Sequence, residues 1–182
     1  MPTMSQRVLS LIRSIPNHPK PGIVFKDITP VLEDAQLFLE LIHHFGRRYS
    51  HPKHKNKLKK IVAIESRGFI FGSALAFYLG VGLVLIRKAG KLPWDKISKS
   101  YDLEYGKDTI EIHTDSIQTG EHVIICDDIL ATGKTTKAAI HLVEQLGGHV
   151  LECAFLFEIE GLGGVDTLAD YEVYSSSILP RE

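Results

Sequence analysis

Two adjacent carboxylates, Asp127 and Asp128, directly follow an apolar run and precede a turn of small residues. The residues from Ala131 to Thr135 would expose consecutive backbone N–H groups at the positive end of a new helix, which suits a phosphate monoester. Carboxylates do not bind phosphate by themselves, but they suit the hydroxyls of a ribose or a cationic transition state. The simpler alternative, a capped helix behind a buried strand, explains the turn but not two carboxylates at one strand end.

The segment Gly133-Lys134-Thr135 imitates the end of a Walker A loop. That motif requires a glycine five residues before its second glycine, and this chain has Asp128 there. A carboxylate at that position would face the triphosphate, so the sequence disfavours a P-loop.

Further loops carry charges that suit a polyanion. Arg67 is placed to grip one through two hydrogen bonds, and Gly68 beside it permits close approach of the backbone. A second group of cations follows another apolar run, although a solvated turn explains these equally well: Arg87, Lys88 and Lys91. The polar stretch 88–108 is long for a loop in a compact domain and is typical of a lid. These features together fit a phosphorylated sugar that carries pyrophosphate.

Apolar strands that alternate with helical patterns would position these loops. Strands are predicted at 61–65, 83–87, 109–113, 122–127 and 150–157, and helices at 69–79 and 132–146. This alternation predicts an α/β fold with a mainly parallel, twisted sheet and helices on both faces. Ligands of such sheets bind beyond the carboxyl ends of the strands, so the chemistry should lie just after Glu65, Arg87 and Asp127.

The N-terminal segment has a different pattern. Helical spacing of apolar residues predicts a short helix that ends at Pro16, and the residues from Pro16 to Gly22 exclude regular structure. An extended piece at 23–25 follows. Thr29 is predicted to cap a helix whose apolar face runs from Leu37 to Phe45.

The composition excludes several classes of protein. With 182 residues, 44% of them hydrophobic, and a formal net charge of −1, the chain is typical of one globular domain and gives no case for nucleic acid or an anionic membrane. Cys126 and Cys153 lack metal-ligand spacing, which indicates buried free thiols of a cytoplasmic protein. We recognise neither a secretion signal nor an apolar run of the ~20 residues that cross a membrane. The basic stretch 51–60 lacks aromatic residues that could stack on a base and is predicted to be a solvated loop.

Five ordered stretches give the chain a resemblance to the adenine branch of the type I phosphoribosyltransferase family. They are residues 19–30, 64–69, 87–93, 100–106 and 127–135, of which the last is common to the whole family and the others are specific to the adenine branch. The resemblance implies a small N-terminal hood (1–33), a phosphoribosyltransferase core (34–182) and a flexible lid (88–108). It also implies transfer of a 5-phosphoribosyl group from phosphoribosyl pyrophosphate to N9 of adenine, with AMP and pyrophosphate as products. Mg²⁺, held mainly by substrate and water, and a homodimer are implied as well.

The resemblance also implies roles for individual residues. Asp127 and Asp128 hold the ribose hydroxyls and face the developing positive charge. The 5-phosphate is cradled by Ala131, Thr132, Gly133, Lys134 and Thr135, and the pyrophosphate is addressed by Arg67, Arg87, Lys88 and Lys91. Adenine is lined by Val24, Phe25 and Lys26 on the hood and by Ile129 and Leu130 opposite them. Glu104 and Tyr105 lie on the lid, where Glu104 handles the adenine proton. A cis non-proline peptide is usual in the segment 65–67.

Three positions depart from the family pattern: Lys134 and Trp94 replace glycine, and Ala89 replaces proline. Two alternatives stay open. One is another purine phosphoribosyltransferase, acting on hypoxanthine, guanine or xanthine, against which the hood and the segment 103–105 argue. The other is a non-catalytic regulator that senses phosphoribosyl pyrophosphate, for which only the basic stretch 51–60 speaks.

Overall fold

The computed structural model describes residues 2–103 and 106–181. The strands are β1 (Arg13–Pro16), β2 (Val24–Asp27), β3 (Leu58–Ile64), β4 (Gly82–Lys88), β5 (Lys96–Leu103), β6 (Gly106–His113), β7 (His122–Leu130), β8 (His149–Ile159) and β9 (Val173–Leu179). The helices are α1 (Met4–Leu11), α2 (Thr29–Glu33), α3 (Ala35–Tyr49), α4 (Pro52–Lys55), α5 (Arg67–Leu79), α6 (Lys134–Gln145) and α7 (Gly164–Thr167).

The main sheet has the strand order β5-β6-β4-β3-β7-β8-β9. The strands from β4 to β9 along this order run parallel, whereas β5 and β6 form an antiparallel hairpin joined to β4. The predicted mainly parallel sheet is therefore confirmed. In the sheet, β4 lies on one side of β3 and β7 lies on its other side, so the chain changes direction across the sheet after β6. The switch point lies between β3 and β7, whose carboxyl ends carry Glu65 and Asp127.

Helices cover both faces of this sheet. Consecutive strand residues point to opposite sides, and the apolar side chains on each side form a separate core with the helices that cover it. Ile61 belongs to a core that includes Phe45 and Phe71 of α3 and α5, whereas Val62 belongs to a core that includes Val143 of α6. All five side chains are at most 1% exposed. The two helices that follow β3 and β7 therefore begin at one edge of the sheet, which positions the loops of the site.

The N-terminal segment differs from the prediction in two places. Helix α1 ends at Leu11 instead of Pro16, and Arg13–Pro16 forms a strand that pairs antiparallel with β2. Pairing with a segment further along the chain overrides the local helical spacing. Thr29 does not cap a long helix. It begins the short α2, and Asp34 caps a separate α3 by accepting a hydrogen bond from the Leu37 N–H.

The stretch 88–108 was expected to be irregular, and this expectation is wrong for most of it. Residues 96–103 form β5, and β6 begins at Gly106. Ile97 and Tyr101 pack against the buried cluster under α6, which includes Ile110 and Ile112 of β6. This apolar packing seats one face of the hairpin against the core. Glu104 and Tyr105 lie outside the described residues.

Three other sequence expectations have clear outcomes. Both cysteines are buried and unpaired, as predicted. The basic stretch 51–60 is not simply a solvated loop, because it contains α4, and His54 is buried. Strand β9 was missed by the sequence analysis. No helix in the described part of the chain is long and apolar enough to cross a membrane.

Candidate active site

The acidic pair lies near the carboxyl end of β7, where the buried strand delivers it to the sheet edge. Asp128 is 3% exposed, and its backbone N–H donates to Asp127 Oδ1 at 2.9 Å. Arg67 Nε lies 2.9 Å from Asp128 Oδ2. Burial raises the pKa of both carboxyl groups, and the adjacent Asp128 charge raises that of Asp127 further, while the Arg67 charge acts in the opposite direction.

Asp128 Oδ2 is a buried oxygen that can still accept a hydrogen bond. Apart from its ion pair with Arg67, it accepts no hydrogen bond from any residue that the structure describes. A buried carboxylate oxygen in this state is costly unless a ligand supplies a donor. A substrate hydroxyl is a suitable donor.

The turn after the acidic pair encloses a small cavity of about 80 Å³. Its lining includes four of the five predicted cradle residues: Ala131, Thr132, Gly133 and Thr135. Gly133 has φ 76° and precedes the first turn of α6, whose N–H groups give the cavity an anion-binding character. Ile129, Leu130 and the unpredicted Thr136 also line it.

Lys134 is the first residue of α6, and its side chain lines a different cavity beside Tyr101 and His141. The described non-glycine residues with positive φ are Asn17 and Trp94, so Lys134 sits in an ordinary backbone conformation. The lysine that replaces a usual glycine therefore needs no strained backbone. Its backbone N–H stays in the first turn of α6.

The carboxylate of Glu65, to which the sequence analysis gave no role, binds the predicted cation group. Glu65 Oε2 accepts hydrogen bonds from Arg87 Nε at 3.1 Å and from the Lys88 N–H at 2.8 Å, and Oε1 accepts one from Lys91 Nζ. Burial by itself would raise the Glu65 pKa, but these hydrogen bonds lower it to about 2. The Lys88 ammonium instead pairs with Asp108 at 3.1 Å.

Arg67 joins the N-terminal segment to the acidic pair. Its Nη1 donates to the Lys26 carbonyl oxygen at 3.0 Å, and its guanidinium carbon lies 5.0 Å from the centre of the Phe25 ring. The Lys26 side chain is buried, and its ammonium donates to Ser14 Oγ at 2.8 Å. The Glu65–Ser66 peptide is cis, within the segment where the resemblance implies one.

One open cavity of about 500 Å³ joins these groups. It is lined by Phe25, Glu65, Ser66, Arg67, Lys88, Lys91, Asp127 and Asp128. The structure therefore brings together predicted residues from the hood, the cation group and the acidic pair. The cavity is not lined by Val24, Lys26, Arg87, Ile129 or Leu130. Arg87 is bound to Glu65 in its wall, and Ile129 and Leu130 line the smaller cavity at the turn instead.

The β5–β6 hairpin contacts the turn at 131–135, the predicted phosphate turn, through a residue that the sequence analysis did not single out. Tyr101 OH accepts a hydrogen bond from Thr135 Oγ1 at 3.2 Å and donates one to Asp108 Oδ2 at 3.2 Å. Alternation of Ile97 and Tyr101 with polar residues was the available signal for this strand. Trp94, before the hairpin, has φ 72° and is 65% exposed.

The comparisons with known proteins agree with this arrangement. The model of the phosphoribosyl transferase domain matches residues 31–177. A curated adenine phosphoribosyltransferase of Geobacter metallireducens is 51% identical over 91% of this chain and 95% of its own length. The crystal structure of adenine phosphoribosyltransferase from Thermoanaerobacter pseudethanolicus has a TM-score of 0.91 at 45% identity, covering 97% of this chain and 100% of that one. The Saccharomyces cerevisiae enzyme, complexed with an imino-altritol bisphosphate and adenine, has a TM-score of 0.88 at 41% identity, covering 94% and 97%. The chain belongs to the adenine phosphoribosyltransferase family.

Proposed function

We propose that this chain transfers the 5-phosphoribosyl group of phosphoribosyl pyrophosphate to N9 of adenine, with release of pyrophosphate and formation of AMP. One observation carries the proposal. The acidic pair, three of the four predicted cations and Phe25 line a single cavity, and the turn at 131–135 adjoins it. Each part of the donor substrate then meets a group of matching chemistry at one sheet edge.

The acidic pair supplies the main electrostatic contribution. Asp127 and Asp128 accept hydrogen bonds from the ribose hydroxyls, and these donors favour the ionised carboxylates that burial alone disfavours. Cleavage of the anomeric C–O bond develops positive charge on the sugar, which two fixed carboxylates stabilise. The turn at Ala131–Thr135 holds the 5-phosphate, so that catalysis rests on positioning and charge and requires no covalent nucleophile.

The leaving pyrophosphate is bound by Arg67, Arg87, Lys88 and Lys91. Hydrated Mg²⁺ fits the same region because the cavity offers the oxygens of Asp127 and Asp128, of which Asp128 Oδ2 accepts no hydrogen bond from the described residues. No group of three or more His, Cys, Asp or Glu side chains that could hold a metal occurs in the described ranges. The ion in this proposal is held mainly by substrate oxygens and water. When bound, Mg²⁺ offsets charge on the leaving group.

The adenine site is assigned to the N-terminal hood. Phe25 stacks on the base, Val24 and Lys26 read its edge, and Ile129 with Leu130 packs opposite. The Arg67 guanidinium carbon lies 5.0 Å from the centre of the Phe25 ring, so a base that stacks on Phe25 comes close to this cation.

The segment 88–108, which contains β5 and the start of β6, acts as the lid. The hydrogen bond from Thr135 Oγ1 to Tyr101 OH links it to the turn at 131–135 that holds the 5-phosphate. Closure brings Glu104 and Tyr105 over adenine, where Glu104 accepts the N9 proton, and it excludes water that would hydrolyse the sugar.

A homodimer is the assembly we propose. An apolar surface on α5 and β4 contains Ile70, Phe77, Leu83 and Leu85, exposed by 46%, 91%, 40% and 37%. Four exposed large apolar side chains on two elements that contact each other favour burial against a second chain. The cytoplasm is the compartment that fits two buried, unpaired thiols.

A base panel with purified protein tests the function. We expect AMP from adenine and phosphoribosyl pyrophosphate with Mg²⁺, and rates at least 100-fold lower with hypoxanthine, guanine or xanthine, because a site built for one set of donors rejects another. Comparable use of hypoxanthine or guanine would move the chain to another branch. Binding of phosphoribosyl pyrophosphate without turnover would favour a regulator, although Lys53 and Lys60 of the basic stretch are paired with Glu172 and Glu121.

A further inference from the structure

Glu65 has no role in the proposed reaction, although it lines the cavity of the site. Its side chain is 8% exposed, whereas the partners Arg87 and Lys91 are 31% and 51% exposed. The carboxylate therefore lies beneath the two cations, and the cations lie between it and solvent. Sequence reasoning assigned these cations to pyrophosphate and gave Glu65 no role.

The contacts of Glu65 leave most donors of the two cations unused. Arg87 engages the carboxylate through Nε alone, and Lys91 through one of its three ammonium hydrogens. Neither the Arg87 Nη groups nor the other Lys91 hydrogens have hydrogen-bond partners among the residues that the structure describes. Glu65 thus fixes the cations from below and leaves donors for a second anion.

The charge of Glu65 acts against that second anion. A carboxylate beside bound pyrophosphate repels it and weakens the pull of Arg87 and Lys91. The same relation holds at Lys88, which is paired with Asp108, and at Arg67, which is paired with Asp128. Every cation assigned to pyrophosphate therefore has a carboxylate partner within the protein.

We propose that Glu65 is a positioning residue, a resident counterion that holds Arg87 and Lys91 in place and keeps pyrophosphate bound weakly enough to leave. This inference rests on the proposed function, because it takes pyrophosphate to be the product that these cations bind. It assigns a direction to the effect of Glu65: the residue orders the cations and lowers the affinity for the product.

The decisive variant is Glu65→Gln, which keeps the shape and removes the charge. The Gln amide oxygen still accepts from the Lys88 N–H, and Lys91 is released toward the cavity. We expect calorimetric titration with magnesium pyrophosphate to show a Kd about threefold to tenfold lower than in the wild type. The KM for phosphoribosyl pyrophosphate and kcat should both fall, because tighter product binding slows release. A residue with a merely structural role would raise Kd and KM instead.

Glu111→Gln is the matched control. Glu111 is also buried, and it holds the same turn by accepting a hydrogen bond from the Gly90 N–H at 3.1 Å, but its ion pair is with Lys96. We expect its Kd for pyrophosphate to stay within twofold of the wild type. An equal gain in affinity in this variant would show a general charge effect and overturn the proposal.

A second comparison covers a failure of Glu65→Gln to fold. The double variant E65Q/K91Q removes the Glu65–Lys91 ion pair as a unit, so that, of the two cations bound to Glu65, Arg87 alone loses its carboxylate partner. It should bind pyrophosphate at least twofold more tightly than K91Q alone, because the Glu65 charge no longer offsets the charge of Arg87. Equal or weaker binding in either comparison refutes the counterion role. Failure of the wild type to form AMP would refute the proposed function separately.

Discussion

The small residue at position 68 sets the position of the acidic pair, and its replacement is the sharpest structural test of the site. A Cβ on Gly68 would lie 2.8 Å from Asp127 Oδ1 and 3.0 Å from the Cys126 carbonyl oxygen. Both distances are shorter than van der Waals contact, so Gly68→Ala must displace the carboxylate or the strand. Overpacking of this kind costs about 1–3 kcal/mol of stability. A displacement of the order of 1 Å at a catalytic group costs about 100-fold in rate.

The same helix supplies the control. Gly72 lies one turn further along α5, and a Cβ there would meet Ala63 Cβ at 2.7 Å, away from the acidic pair. We expect urea unfolding to show a loss of about 1–3 kcal/mol for both Gly68→Ala and Gly72→Ala. Only Gly68→Ala should lower kcat, by about 30- to 100-fold at saturating substrates. A Gly68→Ala enzyme with kcat within threefold of the wild type, or an equal loss in Gly72→Ala, would refute the assigned geometry.

Three further variants test other parts of the account. Lys134→Gly should keep kcat within about tenfold, roughly 1.4 kcal/mol, because the cradle uses the backbone N–H; total loss would show that the lysine side chain carries chemistry. Glu104→Gln should lower kcat while the Kd for phosphoribosyl pyrophosphate stays within twofold, and amide exchange over 96–113 should slow when both substrates bind; an unchanged kcat removes Glu104 from proton transfer. Trp94→Gly should raise the free energy of unfolding by about 1 kcal/mol, since φ 72° strains a bulky side chain. A lower free energy of unfolding, measured in urea, would show that the contact of the Trp94 ring with the His113 ring, 6.3 Å between centroids, outweighs the strain.

The parallel core and the site loops were predictable from local pattern. Val123–Cys126 and Ile61–Ile64 are apolar runs long enough for buried strands, and each is followed by a helical pattern. Carboxyl ends of parallel strands meet at one edge, so Glu65 and Asp127 were expected at the same edge of the sheet. Their adjacency depends on the pairing of β3 with β7, which the local pattern does not give.

The errors arose where distant pairing decides the structure. Ile15 fits an amphipathic helix as well as a strand, and its pairing with Phe25 selects the strand. Tyr101 lies in an edge strand with polar neighbours, so its packing under α6 gave little local signal. The role of Glu65 depends on cations from β4, which adjacent strands bring together although the residues lie more than twenty positions apart in sequence.

The central claim is that the buried acidic pair stabilises the developing charge on the ribose. Steady-state formation of AMP from adenine and phosphoribosyl pyrophosphate by Asp128→Asn, compared with the wild type, tests it most directly. Asn keeps the shape of the side chain but removes the charge. The account predicts that kcat falls about 10- to 1000-fold, while the Kd for phosphoribosyl pyrophosphate stays within about tenfold. Full activity in this variant would contradict the account.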